Sequence, residues 1–87
     1  MSIEVSYYAL VGLGGKLADA YNIFREVRTD THQFLERLDP KNPDKWVRDK
    51  ALGRYIFKGE PGAEPISELD AKRFVEARGG TLSPPRI

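Results

Sequence analysis

The chain contains no cysteine among its 87 residues. Disulfides, iron–sulfur clusters, thiolate zinc sites and thiol nucleophiles are therefore excluded from it, and its stability rests on packing. Histidine is almost as scarce: His32 is the only one. Its neighbours Asp30 and Glu36 are what a solvated loop or helix face carries anyway, so no metal site, catalytic residue or cofactor is expected. Charge of one sign is missing too. A net charge of +1 gives no global field toward nucleic acid or an anionic surface. No apolar run approaches the about 20 residues that span a bilayer, and the amino terminus lacks the pattern of a signal peptide. A cytoplasmic chain with no membrane association is the resulting expectation.

What is present suits one small globular unit, with 40% hydrophobic and 31% charged residues. Residues 3–11 are rich in β-branched and aromatic side chains and end at Gly12, which predicts a strand. Residues 17–38 read two ways. Leu17, Ala20, Tyr21, Phe24, Val27, Thr31, Phe34, Leu35 and Leu38 fall at helical spacings, yet residues 28–32 are weak helix formers and residues 22–29 can be a half-exposed strand. Pro40 and Pro43 mark residues 39–44 as a turn or loop. Asp49 suits the cap of a helix over 49–58, with Asn42 before Pro43 as an earlier start that would carry Trp46 on the helix. Ser67 with Asp70 forms a capping-box pattern, and Gly79 and Gly80 close a helix over 67–78.

The fold expected is α+β. Strands near 3–11 and 22–29, with room for a third, form a small mostly antiparallel sheet, and helices near 49–58 and 67–78 cover one face. The alternative is a mainly α chain with a long helix over 17–38. Residues 1–80 make the single domain and residues 81–87, with Pro84 and Pro85, a flexible tail.

Tyr7-Tyr8-Ala9-Leu10-Val11, the run from Ile23 to Asp30, Trp46, Leu52-Gly53-Arg54-Tyr55-Ile56 and the run from Pro65 to Ala71 resemble a group of short uncharacterised bacterial proteins. The likeness covers most of residues 7–78. It implies a first strand, a second around Ile23 to Thr29 and two later helices, and it implies no activity.

Three polar patterns bear on function. Gly12-Leu13-Gly14-Gly15 after a strand invites a phosphate cradle, but Leu17 stands where the dinucleotide fingerprint needs glycine or alanine, and Lys16-Leu17 where a phosphate loop needs lysine then serine or threonine. A plain turn fits better. Glu60, Glu64, Glu68 and Asp70 cluster, but an acid–base pair needs an apolar pocket to split its pKa values, and the last two suit a helix start. Residues 41–58 hold six cations and two acids, a net +4, with Lys50, Arg54 and Lys58 repeating every four residues. With Arg25 and Arg28 they are the candidate binding residues for phosphates, against the plainer reading of a solvated helix face. A small sheet also has edges that pair with other chains. The expected function is therefore a non-enzymatic interaction or regulatory module acting through protein contacts, with a protein partner or self-association through a sheet edge. A nucleic-acid-associated accessory protein is the alternative, and a small enzyme comes last.

Overall fold

A computed structural model describes residues 2–12 and 15–86 of the chain. Five strands form one antiparallel sheet: β1 (Glu4–Leu10), β2 (Asn22–Arg28), β3 (Gln33–Asp39), β4 (Asn42–Arg48) and β5 (Ala63–Ile66), in the spatial order β4-β3-β2-β1-β5. A 3-10 turn (Lys50–Leu52) runs into the short helix α1 (Gly53–Ile56), and α2 spans Glu68–Ala77. The α+β expectation holds, and both expected strands are present and paired, Tyr8 facing Phe24 and Val5 facing Val27.

Residues 17–38 do not form a long helix. They hold one 3-10 turn (Leu17–Asp19), then β2 and most of β3. The helical spacing arises because both faces of the sheet are covered: Leu35 and Leu38 are buried on opposite sides. Residues 39–44 are likewise less of a loop than the prolines suggest, since only Pro40 and Lys41 separate β3 from β4. Pro43 lies at the start of an edge strand, where its missing N–H is tolerated, and Trp46 is on that strand rather than on a helix.

The helices do not share a face. Tyr7, Ala9, Val11, Ile23 and Leu38 pack with Ala71 and Val75 of α2, whereas Leu10, Phe24 and Leu35 pack with Leu52, Tyr55 and Ile56. The cause is in the central strands. β1 and β2 present apolar side chains on both sides, so each side needs a cover. β1 accordingly sits inside the sheet, flanked by β2 and β5, and the edges are β4 and β5.

Local signals place the helices. The Asp49 carboxylate accepts from Ala51 N at 3.0 Å and the Ser67 hydroxyl from Asp70 N at 3.0 Å. After α2, Gly79 takes a positive φ of 85°. Gly80 N donates to Val75 O and Gly79 N to Glu76 O, which closes the helix in a Schellman motif. A Cβ on Gly80 would stand 2.6 Å from Pro43 O, so the glycine lets the chain pass against the start of β4.

Residues 81–86, expected as a flexible tail, then run beside β4. Thr81 N donates to Asp44 Oδ1 at 2.8 Å, Leu82 packs on the α2-side core, and Ser83 O accepts from Arg25 Nη1 at 2.7 Å.

Candidate functional site

The α2 face of the sheet carries a charged row. In register across it stand Tyr7, Arg25, Glu36 and Arg48, one from each of β1 to β4. Arg25 is 1% exposed. Its Nε donates to Glu36 Oε1 at 2.6 Å, and its guanidinium carbon lies 3.9 Å from the centroid of the Trp46 ring. A buried arginine is tolerable only with its charge and donors met, and here a carboxylate, a backbone carbonyl and an aromatic face meet them.

Arg25, Glu36 and Trp46 also line a groove of about 840 Å³ between β4 and residues 83–86, with Lys45, Arg48 and Arg86 on its rim. Trp46 Nε1 is buried, and no acceptor among the described residues reaches it. A buried donor left this way costs about 1–3 kcal/mol, and no other buried side-chain nitrogen or oxygen among the described residues lacks a partner.

The groove borders an open edge. Leu38 faces Trp46, Glu36 faces Arg48, and Asp49 N donates to Leu35 O at 3.0 Å. Antiparallel ladders alternate, so Val47 and Asp49 turn their backbone groups toward β3 while Trp46 and Arg48 turn theirs outward. No hydrogen bond within the described residues reaches those outward N–H groups. The opposite edge is different. β5 has four residues and includes Pro65, the kind of short, blunted edge that resists pairing.

Charge around β4 is positive. Lys45 and Arg48 have no carboxylate within ion-pair distance among the described residues, and Arg48 stacks over Phe34 at 4.0 Å. The cations singled out from sequence are scattered by comparison. Arg25 is buried on the α2 face, whereas Arg28 is exposed near Glu26, at 3.3 Å. Arg54 hydrogen-bonds Ala51 O and stands 3.9 Å from Glu60. Lys50 lies in the 3-10 turn and Lys58 beyond α1, so the four-residue repeat does not fall on one continuous helix. Arg25 lines the groove beside β4 with Lys45, Arg48 and Arg86, with its own charge paired to Glu36.

Other candidates take plain roles. His32 is exposed in the turn between β2 and β3, hydrogen-bonded to Thr31. The glycine cradle includes residues 13 and 14, which lie outside the described residues; beyond Lys16 the chain forms a 3-10 turn of three residues, not the helix a phosphate cradle would need. No group of three or more potential metal-binding side chains occurs among the described residues, and no helix there is long and apolar enough to cross a membrane.

Sequence reasoning missed Glu36 and the outward edge of β4. The burial of Arg25 did have a signal, because it stands between Ile23, Phe24 and Val27 in a strand. Compared with family models, curated proteins and solved structures, the chain matches none.

Proposed function

We propose that this protein is a binding module that takes an extended, acidic segment of a partner protein as a sixth strand along β4. The observation that carries the reading is the outward-turned backbone of Trp46 and Arg48 on an unpaired edge. Main-chain hydrogen bonds to such an edge supply affinity and side-chain pockets supply selectivity. Lys45, Arg48 and Arg86 beside the groove favour carboxylates on the incoming strand. The role is interaction rather than catalysis, in line with the small size of the domain and the plain settings of its histidine and carboxylates.

The test begins with a displayed library of random peptides selected on the folded protein, followed by titration of the winners. Arg48→Pro removes one outward N–H, and Arg48→Ala removes the same side chain while keeping that N–H. The reading predicts acidic winners whose binding survives Arg48→Ala in weakened form and is lost in Arg48→Pro. Winners unaffected by Arg48→Pro would sink it. Self-association is a separate outcome: a concentration-dependent dimer abolished by Arg48→Pro would make a second copy of the chain the occupant.

A further inference from the structure

β4 ends where the chain turns into the 3-10 helix, while β3 continues to Gln33. At that step lies a second hollow, of about 380 Å³, lined by Phe34, Leu35 and Phe57, with Arg48, Asp49 and Lys50 at its mouth. Phe57 is 65% exposed, a large aromatic with no cover. Leu35 belongs to the cluster under α1, and a Cβ on Gly53 would touch both Leu35 and Phe57, so these two walls of the hollow stand on the α1 side of the sheet, whereas Phe34, paired with Val27 and stacked against Arg48, stands on the α2 side. The groove at Trp46 opens on the α2 side. Arg48 lines both.

From this we infer that the hollow at Phe57 is a subsite for one apolar side chain of the incoming strand, next in line to the acidic residues that face the groove. The inference rests on the strand-addition reading above. Its occupant is set by geometry and charge. Successive side chains of a strand point to opposite faces, so a segment paired along β4 sends alternate residues to the groove and to the α1 side. The cations Lys45, Arg48 and Arg86 select carboxylates on the first side, and the Leu35 and Phe57 walls of the hollow select an aliphatic or aromatic residue on the second. Asp44, Glu36 and Asp49 are the acids nearby. Glu36 is taken by Arg25, Asp49 by Arg37, and Asp44 by the Thr81 amide. The recognised pattern is therefore acidic residues with an apolar residue at an odd spacing from them.

Position-by-position enrichment in the selected peptides tests this, with the selection run on the unaltered protein and on Phe57→Glu. Phe57 is exposed, so the substitution leaves the core untouched. The expected result is one apolar position at an odd offset from the acidic ones, lost on Phe57→Glu while the acidic preference stays. Replacing that residue by serine in a selected peptide should weaken binding about tenfold or more on the unaltered protein, as burial of one apolar side chain requires. On Phe57→Glu the same replacement should change little. Acidic enrichment without an apolar position, or an apolar position at an even offset, overturns the subsite and leaves strand addition standing. No enrichment of any kind overturns both.

Discussion

Arg25 and Trp46 are in contact across the sheet, the guanidinium carbon 3.9 Å from the ring centroid, with the same guanidinium ion-paired to Glu36. The contact joins β2, β3 and β4 under residues 83–86, so the interior of the sheet and its open edge share one charged cluster. Arg25→Met leaves Glu36 buried without a partner and should destabilise the fold by about 3–5 kcal/mol, read as a lower urea midpoint. Replacing both residues with methionine should recover most of that loss, because no uncompensated charge remains.

Residues 82 and 83 are part of the folded structure. Ending the chain after Gly80 removes Leu82 from the core and takes the Ser83 carbonyl from Arg25. Stability should drop by about 2–4 kcal/mol, summed from one partly buried side chain and one charged hydrogen bond. The emission of Trp46 should shift to the red as the groove opens to water. An unchanged spectrum and midpoint would mean that the segment contributes nothing.

Helix caps give a smaller and independent check. Ser67→Ala should cost about 1 kcal/mol through the lost bond to Asp70 N. Asp49→Ala should cost more than Ser67→Ala, since Asp49 caps the 3-10 turn and also pairs with Arg37 at 3.2 Å. Paired denaturation curves measure both.

Edge register predicts a contrast between neighbours. Val47→Pro removes a donor that faces β3 and should destabilise by about 3 kcal/mol or more. Arg48→Pro removes one that faces outward and should cost much less. Equal losses in the two variants would show that the ladder does not alternate as the Leu35–Asp49 hydrogen bond requires.

Several elements of this fold are legible in sequence for definite reasons. Residues 4–10 carry enough β-branched and aromatic side chains to declare a strand, residues 22–28 allow a strand as well as a helix, and Ser67 with Asp70 and Gly79 brackets α2 at both ends. β3 and β4 are hidden. Leu35 and Leu38 serve two opposite cores and so imitate a helix, and Pro43 suggests a turn where an edge strand starts. The groove is hidden for a related reason. It depends on cross-strand register, which sets Arg25 against Glu36 and Glu36 against Arg48, and residues 11 or more apart in sequence carry no local sign of that. The lysine and arginine spacing over 50–58 promised a helical stripe, but Lys50 lies in the 3-10 turn and α1 ends at Ile56, short of Lys58.

Hydrogen exchange of the backbone amides of Trp46 and Arg48, with and without a selected acidic peptide, is the decisive measurement for strand addition at β4. In the free protein both amides face outward and should exchange far faster than Val47. A saturating peptide should slow both, with no comparable change along Ala63–Ile66. Unchanged exchange at Trp46 and Arg48, with protection appearing instead around Lys50, Arg54 and Lys58, would contradict it.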